Sequence, residues 1–84
     1  MEIQCQLMLH PLALETYHVF IDECFELLNH HPVSYSIATM NVLVHGEEKS
    51  VFDAVSAVFH FAREKHPYII LHAIYSTAFD YQVC

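Results

Sequence analysis

The stretch Ile3-Gln4-Cys5-Gln6-Leu7-Met8-Leu9-His10-Pro11 alternates apolar and polar residues with period two, and six residues beyond Pro11 the period has changed. Alternation of this kind is the mark of a strand with one covered face. Pro11, which has no N–H for a ladder, closes it. From about Glu15 the apolar residues Tyr17, Phe20, Ile21, Cys24, Leu27 and Leu28 recur at three and four, which makes an amphipathic helix limited by Pro32. Glu15 or Thr16 is positioned to cap its start.

The remaining elements follow outward from this switch. Val33 to His45 is rich in β-branched residues and long enough for a hairpin, with strands at about 33–38 and 40–46 and a turn in Ala38-Thr39-Met40-Asn41. Gly46 is expected to break the second of these strands. Ser50 and Asp53 resemble a capping box for a second helix, with Glu47 and Glu48 able to extend its start. Its apolar stripe is expected at Phe52, Val55, Val58, Phe59 and Ala62. Arg63, Lys65 and His66 suit its negative end, Pro67 stops it, and 68–77 forms a last strand.

The order β-α-β-β-α-β predicts an α+β, ferredoxin-like two-layer sandwich as a single domain over residues 1–84. Right-handed crossovers put strands 1 and 3 in the middle, for an antiparallel sheet of order 4-1-3-2. Both helices then cover one face. On the bare face the alternation places Gln4, Gln6, Met8 and His10 of the first strand, Asn41, Leu43 and His45 of the third, and Ile70, His72, Ile74 and Ser76 of the last.

Composition excludes several functions. The chain has 84 residues, 10 acidic against 3 basic, a formal net charge of −7, eight histidines and one glycine. Three basic residues cannot neutralise a phosphate track or an anionic membrane, so neither nucleic acid nor a membrane surface is an expected partner. A single glycine cannot build a phosphate cradle. No apolar run approaches the length of a bilayer span, and the first residues lack the basic and apolar regions of a signal peptide. Cys5, Cys24 and Cys84 are an odd count without paired spacing, which favours a reducing, cytoplasmic location. With 55% of residues hydrophobic and 15% charged, apolar surface is left over once a core is filled, and a homo-oligomer, dimer or tetramer, is expected.

The histidines do not have the spacing of a metal site. His30, His31 and His66 have no i, i+4 histidine partner on a helix, no Cys-x-x-Cys pair exists, and His10 and His45 fall at opposite ends of their strands, so no metal or cofactor is expected. Catalysis lacks a constellation as well: Cys5 and Cys24 point inward, and Asp22, Glu23 and Glu26 read as the solvated face of one helix. No enzyme is expected. An enzyme with His10 or His72 as general base would need a carboxylate partner that the sequence does not supply.

Three blocks of the chain resemble a known family. Cys5-Gln6-Leu7-Met8-Leu9-His10-Pro11-Leu12 resembles the opening strand of the thiamine/hydroxymethylpyrimidine-binding (YkoF-like) family. Gly46-Glu47-Glu48-Lys49-Ser50-Val51-Phe52-Asp53-Ala54 resembles its glycine, acidic loop and Val-Phe-(Asp/Glu) helix start, and Tyr68-Ile69-Ile70-Leu71-His72-Ala73-Ile74-Tyr75-Ser76 its last strand. The spacing agrees without gaps over about residues 5–76. The resemblance implies a ferredoxin-like fold and a non-enzymatic, oligomeric binder of thiamine or its pyrimidine precursor. Two positions depart from the pattern: the family's tyrosine before the proline is His10, and its small hydroxyl residue on strand 3 is Val42. The polar contacts to such a ligand are expected at Gln6, His10, Thr39, Asn41, His72 and Ser76. The alternative is an oligomeric interaction or regulatory module of the same fold that has kept no pocket.

Overall fold

Strand β1 runs from Glu2 to Pro11, with Ile3, Cys5, Leu7 and Leu9 buried and the residues between them half-buried. The computed structural model describes residues 1–13, 15, 17–37 and 41–77. Helix α1 spans Tyr17–Glu26 and tightens into a 3-10 turn at Leu27–His30. Strands β2 (Ser34–Ile37) and β3 (Val42–Glu47) follow, then helix α2 (Glu48–Lys65) and strand β4 (Ile69–Ser76). Residues 38–40 of the expected turn at 38–41, and the cap at Thr16, lie outside the described residues.

All strand pairs are antiparallel and the sheet order is β2-β3-β1-β4, the ferredoxin-like arrangement that the crossover rule demands. The register carries the alternation of β1 across the sheet. Cys5 pairs with Val44 and Tyr75, and Leu7 with Val42 and Ala73, on the helix-covered side. Gln6 pairs with Leu43 and Ile74, and Met8 with His72, on the open side.

Three local readings are corrected by the structure. Gly46 does not break β3: the strand continues to Glu47, with Gly46 paired to Ile3. A Cβ at this position would lie 3.3 Å from Cγ1 of Val33, so the glycine is what lets the segment entering β2 pass close to β3. Helix α2 begins at Glu48, two residues ahead of the expected capping box, and Glu47 caps it without a side-chain hydrogen bond. The N–H of Glu48 instead donates to the carbonyl of Met1 at 2.8 Å. The buried stripe of α2 is Val51, Ala54, Val55, Val58 and Ala62, so Phe52 and Phe59 are exposed rather than in the core. Small side chains let the helix approach the sheet, and the two phenyl rings fall on the flank beside the edge strand β4, where Phe52 meets Tyr75 at 4.8 Å between centroids. On α1 the corresponding shift buries Phe25 and leaves Tyr17 exposed.

The core is completed by Cys24, Phe25 and Leu28 from α1 and its 3-10 extension. Tyr35 donates its hydroxyl to Oδ1 of Asn29 at 2.6 Å, which fastens the end of that extension to β2. The connection into α1 contains Ala13 at φ 58, a left-handed conformation that costs an L-residue about 1–2 kcal/mol. Ala13→Gly removes that strain against a smaller loss in unfolded-chain entropy, and a gain of about 0.5–1 kcal/mol in denaturant unfolding is the expected result.

Candidate functional site

Helix α1 packs against α2 and its own 3-10 extension more than against the sheet, and the space left beneath its first half is a cavity. It has a volume of about 340 Å3 and is lined by Leu9, His10 and Pro11 at the end of β1, by Tyr17, His18, Ile21, Asp22 and Phe25 of α1, and by Ile37 and Asn41 at the facing ends of β2 and β3. This volume falls in the range of small-molecule sites. The floor is apolar, since Leu9 and Phe25 are both 5% exposed. The rim is polar and aromatic: the Tyr17 and His18 rings lie 4.1 Å apart at their centroids, with the Asp22 carboxylate one turn on from His18.

The wall is fixed from outside. The N–H of Leu12 donates to the carbonyl of Tyr68 at 2.8 Å, and Nε2 of His66 donates to the carbonyl of Leu12 at 2.6 Å. His66 also meets the rings of Phe20 and Tyr68 edge-on, at 6.0 and 6.3 Å. The chain leaving β1 is therefore tied to the connection between α2 and β4, at the end of the sheet where Pro11 pairs with Ile69.

The sequence-selected residues separate into two groups. Asn41 lines the cavity, and Thr39 lies outside the described residues. Gln6, His72 and Ser76 are on the open face of the sheet, on the far side from α1, where Gln6 pairs with Ile74 and Met8 with His72. His10 belongs to both places. It lines the cavity, and its ring meets that of His72, 5.4 Å between centroids and nearly perpendicular. Tyr17, expected in the core stripe of α1, and Asp22, expected on its solvated face, join His18 and Phe25 to supply one wall. The signal available in the sequence was the clustering of Tyr17, His18 and Asp22 on adjacent turns, which a periodicity count does not weigh.

The remaining titratable groups do not form a reactive centre. Burial pushes the thiols of Cys5 and Cys24 up to about 11, and both residues are fully buried. Such thiols are protonated and inert near neutrality. Their raised values carry a pH dependence. The unfolded thiols ionise near 9 and the folded ones near 11, so their contribution to stability is complete below pH 9 and is lost as the pH rises towards 11. A fall in melting temperature across that interval, reduced in Cys5→Ala and Cys24→Ala, is the expected result. Among the described residues no group of three or more His, Cys, Asp and Glu is placed to hold a metal, and no helix is long and apolar enough to cross a membrane.

Comparison with known proteins agrees with this architecture. A Thermotoga maritima protein provisionally assigned to thiamine biosynthesis or salvage superposes with a TM-score of 0.78 at 19% identity, over 90% of this chain and 83% of its own. Protein SP2199 of Streptococcus pneumoniae superposes with a TM-score of 0.85 at 14% identity, over 92% and 87%. Protein MJ1052 of Methanocaldococcus jannascii gives 0.84 at 8% identity, over 96% and 84%. At these identities the likeness is one of fold. No curated protein matches the chain. The model of the YkoF-related family matches residues 2–78, and the chain belongs to that family.

Proposed function

We propose that the protein is a non-enzymatic small-molecule binder whose ligand is thiamine, hydroxymethylpyrimidine or a related pyrimidine, held in the cavity under α1. The observation that carries this reading is the lining itself: an apolar floor of Leu9 and Phe25 beneath a rim of Tyr17, Asp22 and Asn41. An aminopyrimidine has an amino donor and ring-nitrogen acceptors for Asp22 and Asn41, and its flat ring suits the faces of Tyr17 and Phe25. A thiazolium cation is drawn to a carboxylate beside an aromatic face in a chain of net charge −7. Family membership and the Thermotoga neighbour support the same ligand class. A cytoplasmic location is supported by the two buried, unpaired thiols.

The test is thermal unfolding with and without thiamine, hydroxymethylpyrimidine and thiamine phosphate. A ligand present at about 100 times its dissociation constant adds about 2.7 kcal/mol, a rise of many degrees in a domain of this size. No shift with any of the three, together with a silent calorimetric titration at millimolar ligand, overturns the assignment.

The homo-oligomer belongs to the same proposal. Phe52, Phe59 and Tyr75 are exposed beside β4, and Leu43, Ile70 and Ile74 are exposed on the open face. Strand β4 is an eight-residue edge without a proline and without a lysine, arginine or carboxylate to discourage pairing. These surfaces favour a second copy over solvent, and sedimentation at micromolar protein should show a dimer or tetramer. If an oligomer forms while every pyrimidine fails to bind, the interaction-module reading replaces the binder.

A further inference from the structure

The open face of the sheet carries a second group of side chains, separate from the cavity. The sequence argued against a metal because His10 and His45 are far apart, but the fold brings His10 beside His72 instead. Their ring centroids are 5.4 Å apart, and Met8 stands on the same face directly across from His72. We propose that Met8, His10 and His72 form a binding site for one copper(I) ion, with two imidazole nitrogens and a thioether sulfur as ligands.

The spacing fits the chemistry. An imidazole bound to a first-row metal places its ring centre about 3.2 Å from the ion, so two such rings at tetrahedral to trigonal angles have centroids about 5.2–5.5 Å apart. The nearly perpendicular rings need only a turn about χ2, a broad torsion in histidine, to aim a nitrogen of each at a common point. Directly opposed residues of an antiparallel pair have Cβ atoms about 4.5–5.5 Å apart, and a methionine with three rotatable bonds spans such a gap. Met8 and His10 are two apart on β1 and so share a face with His72 by the period of the strand.

The ligand set selects the ion. Thioether sulfur is a soft donor that favours copper(I), whereas zinc and the harder divalent ions gain little from it. The net charge of −7 on the chain attracts the cation. In the single chain Met8 and His10 are half-buried and His72 is exposed, so the ion has a partly dry seat that it reaches from solvent before a second copy covers this face.

The test is anaerobic titration of the protein with copper(I) held by the chromophoric chelator bicinchoninate, with ascorbate as reductant. The expected result is withdrawal of one ion per chain from the chelator, and at least a tenfold loss of affinity in both His72→Gln and Met8→Leu with unchanged far-UV circular dichroism. Met8→Leu should leave nickel(II) binding within twofold of the starting protein, since only the soft donor is removed. Silver(I), added to the unsubstituted protein, should shift the imidazole resonances of His10 and His72 and the methyl of Met8; this readout stands even where a variant fails to fold. Withdrawal unchanged by both substitutions, or silver shifts confined to other residues, overturns the proposal.

Discussion

Asp22→Asn is expected to weaken the binding of thiamine by about ten- to a hundredfold while leaving the fold intact. The carboxylate is exposed at the rim of the cavity, so its replacement by an amide of the same shape disturbs no core contact. What is lost is a charge-assisted hydrogen bond to a cationic or amino-bearing ring, about 1.5–3 kcal/mol. The substitution discriminates within the ligand class as well. Thiamine carries a fixed positive charge on its thiazolium ring and hydroxymethylpyrimidine does not, so the loss should be larger for thiamine. Calorimetric titration of both ligands against both proteins measures the difference, and an equal loss would assign Asp22 to the pyrimidine ring alone.

The largest expected effect on stability lies at the centre of the sheet. Leu7 is fully buried on β1, between Val42 of β3 and Ala73 of β4. Leu7→Ala deletes three buried carbons in a strand held on both sides, where neighbours cannot close the gap, and a cost of about 2–5 kcal/mol follows. Against the about 5–15 kcal/mol by which small domains are stable, this is a large share. Urea unfolding should show the midpoint moved strongly downwards with an unchanged slope. By contrast Phe52→Ala and Phe59→Ala, on the exposed flank of α2, should cost the isolated chain little and should weaken the oligomer if that flank is covered by a second copy.

The contrast between Leu7 and Phe52 shows where sequence reading is strong. In β1 the alternation is enforced by the sheet: a strand with one covered face has no freedom to turn, so Ile3, Cys5, Leu7 and Leu9 are legible as core one by one. A helix can rotate about its axis, and the broad apolar arc of α2 admits two faces one residue apart. Hydrophobicity alone favours the phenyl rings, but the sheet lies close enough that Val51, Ala54 and Ala62 fit beneath the helix and Phe52 and Phe59 do not. Gly46 was misread for a related reason, since its lack of a side chain serves an approach to Val33 that belongs to another element.

The cavity was less legible still. It arises from incomplete packing of α1 on the sheet, a relation between elements that leaves no trace in the periodicity of either. Asn41 was named as a polar residue of the bare face, and the fold places it at the cavity instead. Asp22 was not named, because on a helix a carboxylate between Ile21 and Glu23 has the pattern of a solvated face whether or not a pocket opens beside it. Gln6, His72 and Ser76 were chosen as polar groups on the face without helices, and the fold puts them on the opposite side of the sheet from the cavity. The same face, however, gathers Met8, His10 and His72, a grouping that depends on the register of β1 with β4 and on nothing within either segment.

Whether the cavity under α1 is the ligand site is tested most directly by a heteronuclear NMR titration of the isotope-labelled protein with thiamine. Saturable shifts are expected at the amides of Tyr17, His18, Asp22 and Phe25 and at Asn41 with its side-chain amide, with Gln6, Ser34 and Ser76 on the open face unmoved. Shifts concentrated on the open face, with the α1 resonances unchanged at saturation, would contradict that assignment of the site.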